Sequence, residues 1–327
     1  MIVLDGPDTR AALPMADAVE CAREAMRATA GEHLRQPLRT VINAGPAGFL
    51  AAMPVCVADP AETLFGIKTI VVKPGNAARG LPSHNGLVVL FDGDTGLPTA
   101  AVDAAVITEI RTAAVSAVAT GALARADAAR LSIIGTGAQA RTHLEAMLEV
   151  REIGSVRVWG RTPERVTEFA GWARTRFGLP VTEAVSPRDA AAGADVVCTV
   201  TASPEPLLSA ADVAPGAHVN AVGASQPGSR ELAPDLVARC RVVVDRRESA
   251  GAEADDLILS ADPPRRAPVA AELGEVLLGR AAGRTGPEEI TLFKSVGLAV
   301  QDLFAARAAV RRAAGTGIGN HVPMRAG

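Results

Sequence analysis

Leu131-Ser132-Ile133-Ile134-Gly135-Thr136-Gly137-Ala138-Gln139-Ala140 is the stretch that decides the fold. A short apolar run, Leu131, Ile133 and Ile134, breaks into glycines, and an amphipathic helical pattern follows. This is how a strand, a nucleotide-binding turn and a helix look in sequence. Gly135 makes the tight turn. Gly137, having no side chain, lets the backbone approach a pyrophosphate, and small Ala140 lets the helix pack close to the strand. The unpaired N–H groups of Ala138, Gln139 and their neighbours at the helix N-terminus, with Thr136 in the turn, then face the phosphates.

A glycine turn alone is weak evidence, and its surroundings strengthen it. Residues 156–159 read as a second strand about twenty residues on, the spacing of a βαβ unit. Residues 194–200 and 217–222 are further short apolar runs, each followed by turn residues. The end of the second strand bears on cofactor choice. An NAD site usually places Asp or Glu there for the ribose 2′-OH, whereas this chain has Gly160-Arg161-Thr162. Arg161 offers a guanidinium to a 2′-phosphate, Thr162 a hydroxyl, and Arg165 lies one helical turn on. NADPH is therefore predicted, with NAD(H) as the alternative; solvated surface arginines would leave the same trace.

With 327 residues the chain is too long for one small core, and two domains are suggested. Hydrophobic residues, 48% of the total, are ample for burial. A net charge of −3 gives no basic footprint for nucleic acid or an anionic membrane. Cys21, Cys56, Cys198 and Cys240 are far apart, show no CxxC spacing and read as buried reduced thiols. The five histidines show no HxxxH pairing, so no metal site is predicted. There is no basic-then-apolar N-terminus and no run of about 18 apolar residues, so a cytoplasmic protein without a membrane anchor is expected.

Met15, Val19, Ala22 and Met26 recur at helical spacing and predict a first helix ending near Gly31. The period then changes. Residues 38–43, 48–57, 64–72, 86–91 and 98–104 are β-like runs between Gly, Pro, Asn and Asp clusters, predicting an antiparallel sheet or open barrel. Asp92-Gly93-Asp94-Thr95-Gly96 reads as a hairpin turn, because a calcium loop would need glycine where Leu97 stands. Only Lys68, Lys73 and Lys294 of the 33 basic residues are lysines. Lys68 lies in a run apolar on both faces, where an unpaired ammonium would cost several kcal/mol, so it needs an anion or a route to solvent. Arg39 is placed in a strand and Arg111 on an Ala-rich helix, 108–124. Each alone reads as a structural ion pair; together the three could clamp a carboxylate. Residues 272–278 and 288–309 read as helices, and the tail from Gly315 as a loose end.

The segments Gln36-Pro37-Leu38-Arg39-Thr40, Lys68, Pro82-Ser83-His84, the run Ile107-Thr108-Glu109-Ile110-Arg111-Thr112-Ala113-Ala114-Val115-Ser116-Ala117 and the GTGAQA turn resemble the ornithine cyclodeaminase/mu-crystallin family across nearly the whole chain. The resemblance implies NAD(P) dependence, a small amino or imino acid substrate and a homodimer formed through the N-terminal domain. It implies that Arg39, Lys68 and Arg111 hold the substrate carboxylate, with Met53, Ser83, His84 and Ser225 also at the substrate. Val200, Thr201, Ala221 and Val222 would lie along the cofactor, and Lys294-Ser295 would border that site. The cyclodeaminases carry an aspartate where Ser225 stands; Gly223-Ala224-Ser225 and Arg161-Thr162 are similar to mu-crystallin instead.

The expected fold is α/β, with a Rossmann-type doubly wound sheet (119–286) and an α+β substrate-binding and dimerisation domain (1–118). A C-terminal helix in 287–327 returns to the first domain. The expected function is NADPH-dependent reduction of a small α-imino acid, such as Δ1-pyrroline- or Δ1-piperideine-2-carboxylate. Lys68, or a water held by Ser225 or Ser83, would manage the proton. Ornithine cyclodeamination, reductive amination of the opine type and non-catalytic NADPH binding are the alternatives.

Overall fold

The computed structural model describes residues 1–261 and 264–323. The chain begins β1 (Ile2–Leu4), α1 (Gly6–Ala12), α2 (Met15–Thr29), β2 (Leu34–Arg35), β3 (Thr40–Asn43) and β4 (Phe49–Asp59). It continues β5 (Glu62–Val72), β6 (His84–Phe91), β7 (Pro98–Asp103) and α3 (Ala104–Leu123). Next come β8 (Arg130–Ile134), α4 (Ala138–Leu148), β9 (Ser155–Trp159), α5 (Pro163–Phe177), β10 (Val181–Glu183) and α6 (Pro187–Ala191). Then follow β11 (Val196–Thr199), β12 (His218–Ala221), α7 (Pro234–Arg239), β13 (Cys240–Val244) and α8 (Arg247–Glu253). The last elements are β14 (Ile258–Ala261), β15 (Pro264–Arg266), β16 (Val269–Glu272), α9 (Leu273–Leu277), β17 (Ile290–Lys294), α10 (Ala299–Thr316) and β18 (Asn320–His321).

Two compact units result, one of Met1–Arg111 with Leu298–Gly327 and one of Thr112–Gly297. The division falls inside α3, between Arg111 and Thr112, rather than near residue 118. It falls again between Gly297 and Leu298 rather than at 286. By length and composition α3 could cross a membrane, yet 72% of that stretch is buried, as in the core helix of a globular fold.

The first unit is a mainly antiparallel sheet in the order β18-β1-β7-β6-β5-β4-β2, with β3 also on β4. Strands β4 and β5 alternate, one face buried and one outward, as a sheet covered on one side requires. Helix α10 packs on the inner face, with α2 against it. A Cβ on Gly66 would stand 2.7 Å from Leu303 Cδ1, so glycine gives α10 room against β5. Residues 92–96 form the expected hairpin turn: Thr95 N–H and Oγ donate to Asp92 Oδ1, and Gly96 has φ +71°. The tail corrects its expectation, because Asn320 and His321 pair with Val3 and Ile2. Residues 324–327 of that tail lie outside the described residues.

The second unit is an eight-stranded sheet, β10-β9-β8-β11-β12-β17-β13-β16, whose neighbours all run parallel. Strand order reverses at β8, so the crevice beyond the ends of β8 and β11 is the switch point where such sheets take ligands. The reading of 288–309 as one helix fails here. Ile290–Lys294 is a fully buried strand in mid-sheet, and α10 begins only at Ala299, after Gly297 at φ +83°.

Candidate functional site

In the first unit, the pleat of β5 puts Gly66, Lys68, Ile70 and Val72 on the covered face. Buried Met53 stands opposite Lys68 in the β4–β5 register. The first turn of α10 delivers Gln301 and Asp302 to the same face, both buried. Asp302 takes two cations: its Oδ2 is 2.7 Å from Lys68 Nζ and its Oδ1 is 3.0 Å from Arg111 Nε. Arg111 Nη1 donates to Gln301 Oε1 at 2.8 Å, and Lys68 Nζ donates to Thr108 Oγ1 at 3.3 Å. The contact of Asp302 Oδ2 with Lys68 is an ion pair at hydrogen-bonding distance between two buried side chains.

Two cations on one carboxylate leave this buried spot positive, which is the condition for binding an anion. Burial pushes the Lys68 ammonium down to about 8; Asp302 opposes that, while Arg111 and Arg39 add to it. A group at that value can hold or release a proton near neutrality. Arg39 is half-buried on the loop just before β3, not in a strand as the sequence suggested. Ser83 and His84 are joined by an Oγ···Nδ1 hydrogen bond of 2.9 Å. Sequence reasoning asked for an anion beside Lys68 but did not find Asp302. The signal was there: one acid in the apolar stretch Leu298-Ala299-Val300-Gln301-Asp302-Leu303-Phe304.

In the second unit, the turn after β8 is built as a dinucleotide cradle. Gly135 has φ +121°, and a Cβ on it would stand 2.8 Å from Val200 O, so only glycine fits between the ends of β8 and β11. Gly137 is the N-cap of α4, with no side chain capping the helix and open space where a Cβ would project. Gln139 Oε1 is buried and accepts no hydrogen bond. Helix-end N–H groups and an open approach at Gly137 fit a pyrophosphate-linked dinucleotide. Gly135 N–H donates to Trp159 O, and a Cβ on Gly160 would stand 2.8 Å from the Thr136 side chain. The end of β9 is thereby locked to the turn, with Arg161 and Arg165 exposed beside it and Thr162 as the N-cap of α5.

Beyond β11 and β12 the backbone is held by a buried acid that the sequence did not reveal. Glu231 accepts from Thr199 Oγ1, from Thr201 N and Oγ1, and from Gly223 N, all at 2.7–2.8 Å. Ala221 and Val222 are buried at the root of this loop, and Ser225 is half-buried at its tip. Lys294 reaches this loop from below. Its side chain turns into the core, donating to Ala224 O at 2.6 Å and Asp256 Oδ2 at 2.7 Å. Ser295 is buried beside it.

A doubly wound unit with a glycine turn and a unit with two buried cations on one carboxylate fit an NAD(P)-type oxidoreductase architecture. Residues 2–317 match the ornithine cyclodeaminase/mu-crystallin family, to which this chain belongs. It is 36% identical over 325 residues to the Δ1-pyrroline-2-carboxylate reductase of Bacillus cereus, covering 98% of this chain and 99% of that one. It is 42% identical over 275 residues to ketimine reductase mu-crystallin of Mus musculus, 83% of each chain. Among solved structures it is similar to Thermococcus litoralis Δ1-pyrroline-2-carboxylate reductase in complex with NADH and L-proline. The TM-score there is 0.93 at 34% identity, over 98% of this chain and 100% of that one.

Proposed function

We propose that the protein is an NADPH-dependent reductase of small cyclic α-imino acids of the Δ1-pyrroline- or Δ1-piperideine-2-carboxylate type. The observation that carries this reading is the buried Lys68–Arg111 pair on Asp302, a positive site suited to a small carboxylate. The relatives act on substrates of that class by name, which supports it. A bound nicotinamide supplies the hydride that reduces the C=N carbon. The residues of the chain do the rest: Arg39, Lys68 and Arg111 hold the carboxylate, and Met53, Ser83 and His84 line the substrate. Lys68 serves the proton, directly or with a water held by Ser225 or Ser83. Gly135, Thr136, Gly137, Ala138 and Gln139 take the pyrophosphate, and Val200, Thr201, Ala221 and Val222 run along the cofactor. Arg161, with Thr162 and Arg165, favours the 2′-phosphate and hence NADPH over NADH.

A homodimer is part of the reading. The outward face of the first unit's sheet presents Leu50, Phe65, Val71 and Leu87, each 37–45% exposed, with Ile42 at 64%. Ala52, Pro54 and Ile67 fill the spaces between them on the same strands, an apolar face suited to a second copy.

The test is NADPH oxidation with a panel of cyclic and acyclic ketimine carboxylates, run beside ammonia release from ornithine with NAD. Consumption of NADPH with ornithine silent is the expected result. Ammonia and proline without net cofactor change would overturn it in favour of cyclodeamination.

A further inference from the structure

We propose that Asp302 is a positioning residue: from the first turn of α10 it sets Lys68 and Arg111 for the substrate carboxylate and keeps the reacting proton on Lys68. The inference rests on the reading under Proposed function and deepens it. The geometry singles out this carboxylate. It touches both cations, at 2.7 and 3.0 Å, while having 1% exposure itself. Its helix turn is pinned in turn: Val300 N–H donates to the buried Gln36 Oε1 at 2.8 Å, and Gln301 Nε2 donates to Met26 Sδ at 3.4 Å. Gln36 and Gln301 therefore fix where Asp302 stands, and Asp302 fixes the two cations.

The charges around Lys68 make Asp302 decisive. Arg111 on α3 and Arg39 before β3 are cations, and His84 on β6 adds positive charge when protonated. Glu109 on α3 is ion-paired to Arg10 at 2.6 Å. Thr108 contributes only a hydroxyl. Asp302 is thus the carboxylate that opposes burial and two guanidinium groups, and without it the ammonium gives up its proton more readily. A loss of that proton near neutrality would remove both a carboxylate contact and the acid for the imine.

The chain's small lysine count makes the test direct. Lysine labelled with ¹³C at Cε gives three resonances, from Lys68, Lys73 and Lys294, and Lys68→Arg assigns the first. Wild type is expected to titrate near the value of about 8 given by its surroundings. Asp302→Asn should lower the Lys68 midpoint by about one pH unit or more, a roughly tenfold loss of proton affinity. Asp302→Ser, with room for water beside the ammonium, gives the same reading should the Asn variant not fold. Asp302→Glu should bring the midpoint back to within about half a unit of wild type. The alkaline fall of kcat/KM for imine reduction should move with the midpoint, while NADPH affinity, read by fluorescence, stays within about twofold. An unchanged Lys68 midpoint in folded Asp302→Asn or Asp302→Ser overturns the proposal, as does a pH profile that is scaled down without moving. A wild-type chain that reduces no ketimine overturns the functional reading instead, and the midpoints still decide whether Asp302 holds the proton.

Discussion

Lys294 Nζ and Asp256 Oδ2 stand 2.7 Å apart, and neither side chain has any exposure. Asp256 also accepts from the backbone N–H groups of Glu231 and Leu232, so this ion pair anchors the segment that carries the loop-binding acid. Removing one partner leaves a buried charge unmatched. Lys294→Met and Asp256→Asn should each cost about 3–5 kcal/mol in urea unfolding. The double variant should lose less than the sum by at least about 1 kcal/mol. Simple additivity would show that the pair is not coupled.

Arg161→Ala should raise KM for NADPH by about 10- to 100-fold, since a charge-assisted hydrogen bond is worth ~1.5–3 kcal/mol, and leave KM for NADH nearly unchanged. Equal effects on both cofactors would remove the 2′-phosphate role. Exposed Arg161 and Arg165 are compared best in parallel, because they flank the same N-cap, Thr162.

Ser225→Asp introduces the carboxylate that the family resemblance implies for cyclodeaminases. Reductase kcat/KM should fall at least about tenfold, or ~1.4 kcal/mol, with NADPH binding preserved because Gly223 and Glu231 hold the loop. A variant with full reductase activity would place Ser225 away from the substrate.

Two buried histidines make stability fall in acid. Burial lowers His218 to about 3 and His143 to about 4. Both are bonded inside the fold, His218 to Thr291 and Asn220, His143 to Gln139 O and Ser116. The folded state holds them neutral, whereas the unfolded chain protonates them below about 6.5. Their contribution is therefore complete above pH 6.5 and is lost as pH falls toward their folded values. Each should take away about 1.5 kcal/mol between pH 6.5 and 5. His218→Gln should flatten that slope, and an unchanged slope would count against this assignment.

Charge on the outward sheet face should split a dimer. Val71→Asp with Leu87→Asp, both partly exposed positions on β5 and β6, is expected to give a monomer in sedimentation at concentrations where wild type is a dimer. A wild-type monomer, or a dimer untouched by both substitutions, would locate no interface here.

What could be read beforehand follows from the physics of each segment. The glycine turn at Gly135 was legible because a positive φ and a close approach to Val200 leave no other residue, and such constraints are local. The strands of the first unit were legible because one face is dry and one is wet, which writes alternation into β4 and β5. Strand β17 was not, because all five of its residues are buried and a fully buried run carries no period. Glu231 and Asp256 were illegible, and Asp302 was marked only by its apolar neighbours, for a related reason. Their meaning lies in partners far along the chain: Thr199, Lys294 and Lys68. Lys68 alone announced that some anion had to exist, since a buried ammonium cannot stand unpaired.

The loop 223–225 has a further implication, for how such enzymes change over evolutionary time. Gly223 admits no Cβ, which would stand 1.9 Å from Thr201 O, and its N–H is held by Glu231. These residues hold the shape of the loop. Position 225 stands downstream of that scaffold, so its side chain is open to drift without cost to the backbone beneath it. Under the role proposed for Ser225, a change at this single residue would alter the reaction while leaving the supporting acid and glycine as they stand.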